Sequence, residues 1–277
     1  MTIALCTDSA ACLPEELMRR FEIGVAPLTV TVEGTLGDDL SIDNEEFFDR
    51  LAEGIKPTTS QPSPGAFLQL YKQAAERGAS EILSIHIGAN LSGTVGSARI
   101  AAQSSPIPVE VVDSGTASFQ QGLCVWEAAE ALANGAGLRD AAKQALKAGA
   151  SSGNIFIVGG LQLAEAGGRL RDSKVDGVPV LSAGSAGITP VGSATSVHEA
   201  VGLMTKHVAE AASRLDGQGL RVGVTHIHAP AILQQFKERL REIKEIDEIM
   251  DYSLVPSMAA HTGPGTVSAV YLPQPVR

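Results

Sequence analysis

The sequence predicts an α/β protein of two domains, and three observations carry that expectation. Through the first half, short apolar runs alternate with amphipathic stretches, the pattern of parallel strands joined by crossover helices. From about Ser151 the chain turns strand-rich and glycine-rich, which divides it into domains 1–150 and 151–277. The composition, 44% hydrophobic and 19% charged over 277 residues, supports burying a sizeable core. That core is expected to be aliphatic, since only 4% of residues are aromatic.

In order along the chain, Ile3–Cys6 reads as a strand. Leu13-Pro14-Glu15-Glu16-Leu17 opens a helix, with proline and acids suited to its first turn. Val25–Val32 reads as one further strand. Helices over about Asn44–Leu51, Pro64–Arg77 and Ser92–Ala102 each begin on a cap-type residue or a proline, which the free backbone donors of a first turn favour. Glu81–Ile87 and Val109–Val112 supply two more strands. Ala117–Ala148 is alanine-rich and helical, broken into two helices at Asn134-Gly135-Ala136-Gly137. In the second half the runs beginning at Asn154, Val178, Ile188, Leu220 and Val267 read as strands, while Val197–Leu215 and Ala229–Arg241 carry apolar residues at helical spacing.

Charge and cysteine usage exclude several classes of function. Lys and Arg number 21 against 31 Asp and Glu, a net charge of −10 that repels phosphate backbones and anionic lipid surfaces. Neither nucleic-acid binding nor stable membrane insertion is expected. No apolar run approaches a membrane span, and the start lacks the basic flank of a secretory signal, so a cytoplasmic location is expected. Cys6, Cys12 and Cys124 are an odd set without C-x-x-C spacing, which encodes neither a disulfide framework nor a zinc ribbon. His226-x-His228 could place two imidazoles near a metal, but no third ligand is evident, so no metal is expected. The P-loop and G-x-G-x-x-G patterns do not occur, and no cofactor is expected.

Polar chemistry collects just after the strands of the first half: Thr7-Asp8-Ser9, Leu91-Ser92-Gly93-Thr94 and Asp113-Ser114. In open α/β sheets the crevice beyond the strands' carboxyl ends is where ligands sit, so these turns and Thr58-Thr59-Ser60-Gln61 are expected to line one rim. Ser92-Gly93-Thr94 opens a helix whose free N–H groups and positive dipole end suit an anion such as a carboxylate. Gly93 would let the ligand come close. Ser92 could equally be no more than a helix cap, and Thr59 no more than a polar lead-in to the Pro64 helix. His261-Thr262-Gly263-Pro264-Gly265-Thr266 reads as a stiff loop between strands that presents His261. Arg169, after Gly167-Gly168, is either a solvated arginine past a helix stop or one delivered to an anion.

These motifs also carry a family resemblance. Thr7-Asp8-Ser9, Val25-Ala26-Pro27-Leu28-Thr29-Val30, Thr59-Ser60-Gln61-Pro62-Ser63, Leu91-Ser92-Gly93-Thr94, Val112-Asp113-Ser114, Gly167-Gly168-Arg169 and His261-Thr262-Gly263-Pro264-Gly265 stand in the order seen in the DegV family. Each motif alone is common, but the ordered set, running nearly end to end, is specific. The resemblance implies two α/β domains, the second with a mixed sheet, and a long-chain fatty acid in a tunnel between them. It implies a lipid carrier that in some members presents the acid to a separate fatty acid kinase subunit. The family's carboxylate contacts fall on Thr59 and Ser92. Arg169 and His261, with Gly93 and Thr94, fall on the polar network around that head. Two departures stand out. The segment after Arg169 looks shortened, and Gly192–His198 lacks the basic residues of kinase-serving members.

Two classes of function follow. The first is a non-enzymatic fatty-acid carrier. The alternative is an enzyme acting on an acyl or small carbonyl substrate, with Ser92 as nucleophile and His261 as base. A G-x-S-x-G elbow and an assignable third triad member are both missing, which favours the carrier.

Overall fold

The structure, a computed structural model, describes residues 2–159, 163, 176–184 and 187–274. The chain divides into two compact units, Met1–Ile42 with Lys56–Ala150 and Asp43–Ile55 with Ser151–Arg277. The linear division at residue 150 therefore leaves out one exchange: Asp43–Ile55, expected with the first half, packs with the second unit.

The first unit begins with β1 (Ile3–Asp8), a 3-10 turn at Ser9–Ala11, α1 (Glu15–Arg20) and β2 (Gly24–Ala26). Glu15 and Glu16 lie in the first turn of α1 and Arg19 and Arg20 in its last, both signs matched to the helix dipole. Then come β3 (Thr29–Val32), β4 (Thr35–Asp38), α2 (Asn44–Ala52) of the other unit, and β5 (Thr58–Ser60). Val25–Val32 is thus two strands in two sheets rather than one. Pro27 has no N–H to give a ladder, and the Leu28 N–H goes to Ser9 Oγ instead (2.8 Å). β4 was not anticipated. Glu33 and Gly34, both at positive φ, make the two-residue hairpin that joins it to β3.

α3 (Pro64–Glu76), β6 (Glu81–His86), α4 (Thr94–Ala102), β7 (Val109–Asp113), α5 (Phe119–Ala133) and α6 (Leu138–Ser151) complete the unit. Ser63 Oγ accepts from Ala66 N–H and Pro64 occupies the first turn, which fixes where α3 starts. The main sheet is wholly parallel in the order β2-β1-β6-β7, and β4-β3-β5 form a small antiparallel sheet. Cys6 and Ile82 pack with Phe67, Tyr71 and Ala98 of α3 and α4. Leu83 and Ile85 alternate to the opposite face, where α5 packs on β1 and β6.

The second unit comprises β8 (Gly153–Ile157), β9 (Val178–Gly184), β10 (Gly187–Ala194), α7 (Val197–Ala212), β11 (Leu220–His226), α8 (Pro230–Leu240), β12 (Ile246–Asp251), α9 (Pro256–Thr262) and β13 (Val267–Pro273). Its sheet runs β10-β9-β8-β13-β11-β12 and is mixed: β11 and β12 are parallel and the other neighbours antiparallel. Met204 of α7 and Phe236 of α8 are fully buried against Ile155, Val222 and Ala269 of the sheet. β12 and α9 were not anticipated. The expected loop around His261 is corrected accordingly: His261 lies in the last turn of α9, and only from Gly263, at φ +73, does the chain turn toward β13.

Candidate functional site

Three strands of the parallel sheet end side by side in Asp8-Ser9, His86-Ile87 and Asp113-Ser114. The turn after β6 is anchored through three consecutive N–H groups. Ile87 N–H donates to Asp8 Oδ2 (3.1 Å), Gly88 N–H to the Thr116 carbonyl (2.8 Å) and Ala89 N–H to Asp113 Oδ1 (3.2 Å). Gly88 O then accepts from Leu91 N–H (2.9 Å) and Ser92 N–H (3.1 Å), which places Ser92 at the mouth of α4. Gly88 has to be glycine, because a Cβ there would stand 2.9 Å from the Gly115 carbonyl carbon.

Ser92 Oγ lies 2.8 Å from Thr94 Oγ1, and Thr94 is buried. The cap position of α4 is Gly93, which supplies no side-chain acceptor; the Ser92 Oγ contact with Thr94 N–H, at 3.4 Å, is long for a cap. A Cβ on Gly93 would meet the Gln61 amide at 2.5 Å, so Gln61, just past β5, lies against the start of α4. Its Nε2 also reaches Ser97 Oγ (3.4 Å). Thr59 sits two residues earlier on β5, opposite buried Val30, with its half-buried side chain on the same face. Thr58–Ser60 thus forms a short strand ahead of α3. The structure brings Thr58–Gln61 and Ser92-Gly93-Thr94 to one edge of the first unit, where hydroxyls, an amide and a helix N-terminus offer hydrogen bonds to a small anionic group.

Behind this edge runs a buried polar chain between β6 and α3. Asp8, Ser84, His86 and Tyr71 all have zero exposure. His86 Nδ1 is 2.9 Å from Asp8 Oδ2, His86 Nε2 is 2.7 Å from Ser84 Oγ, and Ser84 Oγ is 3.0 Å from Tyr71 OH. Asp8 already accepts from Ile87 N–H and, through Oδ1, from Ala10 N–H (3.1 Å), so the Nδ1–H of His86 donates to it. In the Nδ1–H tautomer Nε2 accepts from the Ser84 hydroxyl, which in turn accepts from Tyr71. Burial pushes the Tyr71 phenol above its ordinary value, outweighing the opposing pull of its Ser84 hydrogen bond. The order Asp, His, Ser is that of a hydrolase triad, but Ser84 is sealed beneath α3 and no substrate reaches it.

The remaining expected residues fall elsewhere. His261 is half-buried in the second unit. Arg169, with Gly167-Gly168 and residues 170–175 of the segment expected to be shortened, lies outside the described residues. His226 Nδ1 accepts from Ala229 N–H (3.2 Å), while His228 stands 3.4 Å from Asp49 and edge-on to Phe48, holding α2 to its unit. Among the described residues no group of three or more His, Cys, Asp or Glu could hold a metal, and no helix is long and apolar enough to cross a membrane. The three cysteines are buried thiols outside any disulfide, and burial pushes Cys6 and Cys124 up to about 12. Sequence reasoning missed the roles of Tyr71, Ser84 and His86. The available signal was Ser84 and His86 at period two in an otherwise apolar strand, Ile82-Leu83-Ser84-Ile85-His86.

A family model described as "uncharacterised protein, DegV family" matches residues 2–274. The chain belongs to the DegV family. A DegV domain-containing protein of Streptomyces coelicolor is 32% identical over 276 residues, covering 97% of each chain. Among solved structures, a DegV family protein from Thermus thermophilus, described by its fatty acid binding, superposes with a TM-score of 0.91 at 31% identity, covering 99% of this chain and 100% of that one. A Thermotoga maritima protein, described as revealing a fatty acid binding function, superposes at 0.89 with 27% identity, covering 99% and 100%. These likenesses agree with the expected α/β architecture of a parallel N-terminal and a mixed C-terminal sheet.

Proposed function

We propose that this DegV protein binds a long-chain fatty acid and holds its carboxylate with Ser92 and Thr59. The observation that carries the reading is the Ser92–Thr94 hydroxyl pair at the start of α4, whose cap residue Gly93 has no side chain, with the Gln61 amide against Gly93. The fatty-acid binding described for the Thermus and Thermotoga relatives supports it. A few neutral donors at a helix N-terminus orient a carboxylate without a full salt bridge. Affinity then comes from the tail, at roughly 0.8 kcal/mol per buried methylene. The role is that of a carrier acting in the cytoplasm without a cofactor, and a fatty acid kinase subunit is the partner to which the family resemblance extends. Arg169 and His261 enter the reading through that resemblance alone.

Native mass spectrometry of gently purified protein, before and after adding palmitate or oleate, tests the reading. One acyl chain per protein is expected; only apo mass under both conditions overturns it. Acyl-ester hydrolysis abolished by Ser92→Ala would instead establish the enzyme alternative.

A further inference from the structure

We propose that Asp8 and His86 are positioning residues for the ligand's head: through a one-directional hydrogen-bond chain from Tyr71 they lock the turn that presents Ser92. This inference rests on the proposed fatty-acid binding. The juxtaposition is specific. Asp8 Oδ2 is shared between His86 Nδ1 (2.9 Å) and Ile87 N–H (3.1 Å), so one carboxylate oxygen joins the buried chain to the first residue of the turn. Ile87 is followed by the two other anchored N–H groups, and Gly88 O in turn holds Ser92 N–H. Every link from Tyr71 to Ile87 is a hydrogen bond between groups of zero or 5% exposure, so water does not substitute for a missing partner. Asp8 requires donors on Oδ2, which fixes His86 as the Nδ1–H tautomer. That leaves Nε2 to be satisfied by Ser84, and Ser84 by Tyr71. Ligand-facing Ser92 is thereby oriented by groups that never touch the ligand.

Asp8→Ala separates this role from simple burial. It removes the acceptor of both Ile87 N–H and His86 Nδ1–H, so the turn loses an anchor and His86 switches to the Nε2–H tautomer, donating to Ser84. Nitrogen-15 NMR of the full chain should report Nδ1–H in the wild type and Nε2–H in Asp8→Ala. Amide exchange at Ile87 and Ser92 should accelerate at least tenfold, and palmitate should bind about tenfold more weakly while hexadecanol, which lacks the carboxylate, changes less than twofold. If Asp8→Ala does not fold, His86→Asn and His86→Leu make the same separation. Asn keeps an N–H near the Nδ1 position and should retain palmitate affinity within about threefold, whereas Leu should lose about tenfold. Unchanged tautomer and exchange, equal affinities for the Asn and Leu variants, or equal losses of acid and alcohol would each overturn the positioning role. A wild type that binds neither ligand refutes the fatty-acid reading instead, and the exchange rates of the turn still decide whether Asp8 locks it.

Discussion

Removing Ser84 Oγ should destabilise the first unit more than removing both Ser84 Oγ and the Tyr71 hydroxyl together. Ser84→Ala deletes a single oxygen and leaves almost no cavity, but it strands two groups at zero exposure, the Tyr71 O–H and His86 Nε2. At about 1–3 kcal/mol for each of the two orphaned buried groups, the cost is about 2–6 kcal/mol. Tyr71→Phe strands nothing essential, because Ser84 still donates to His86; it loses one net hydrogen bond, about 1 kcal/mol. In the double variant only Nε2 remains unsatisfied, so its cost falls to about 1–3 kcal/mol, below that of Ser84→Ala alone. The signature is a coupling energy of opposite sign to the single costs, which contact-counting would not produce. Urea unfolding followed by tryptophan fluorescence reads the right unit, since the chain's one tryptophan, Trp126, lies on α5 of the first unit. Additive costs, or a double variant less stable than Ser84→Ala, would refute the assigned directions of the hydrogen bonds.

Ser92→Ala should weaken palmitate binding by about 1–2 kcal/mol, the value of a neutral-to-charged hydrogen bond, with Thr59→Ala costing a similar amount. The pair should deviate from additivity because both hydroxyls address one carboxylate. Titration calorimetry decides: equal acid binding by all variants alongside lowered melting temperatures would make both residues structural. Burial, ahead of the opposing charge of Glu210, holds His207 below its ordinary 6.5, and burial, ahead of the opposing charge of Glu45, does the same for His226. The unfolded chain therefore takes up protons more readily, so stability is complete above about pH 6.5 and is lost as the pH falls below it. Melting temperatures between pH 7.5 and 5.5 should fall less steeply in a His207→Gln/His226→Gln variant than in the wild type; parallel curves would contradict the assignment.

The features legible in the sequence were those governed by local periodicity and capping. The apolar runs that became β1, β6, β7, β11 and β13 and the capped starts of α2 and α3 follow from period-two or period-3.6 burial and from Asp43 and Ser63 accepting first-turn N–H groups. What escaped was set by long-range pairing. β4 and β5 are short and polar on one face, and only pairing with β3 makes them strands. Residues 44–52 were readable as a helix, but their burial against the second unit, through Asn44 Nδ2 donating to the Leu254 carbonyl, has no local signal. The rim's hydroxyls were visible because ligand crevices sit past the carboxyl ends of strands. The chain behind them was hidden because the pairing of β1 with β6 is what brings Asp8 to His86, and the packing of α3 on the sheet is what brings Tyr71 to Ser84.

One feature of the rim runs against an anion site: Asp8, Asp39 and Asp113 all stand near the carboxyl end of the sheet. Their partners resolve the conflict. Asp8 is saturated by two backbone N–H groups and the His86 ring, Asp39 accepts from Ser9 Oγ (2.6 Å), and Asp113 Oδ1 accepts from Ala89 N–H and Gly115 N–H. Asp8 and Asp113 act as backbone clamps, their charge partly neutralised by convergent N–H dipoles, and the donors of the proposed site are hydroxyls, the Gln61 amide and the start of α4. Neutral donors produce only a short-range attraction, and the chain's net charge of −10 opposes it at distance. Raising salt should therefore leave palmitate affinity unchanged or slightly tighter, whereas a site built on a surface Lys or Arg would weaken steadily. Titrations at low and high ionic strength, with the fatty acid held below its aggregation limit, make the distinction. A several-fold loss of affinity in high salt would show that an unshielded cation holds the head and that Ser92 and Thr59 do not.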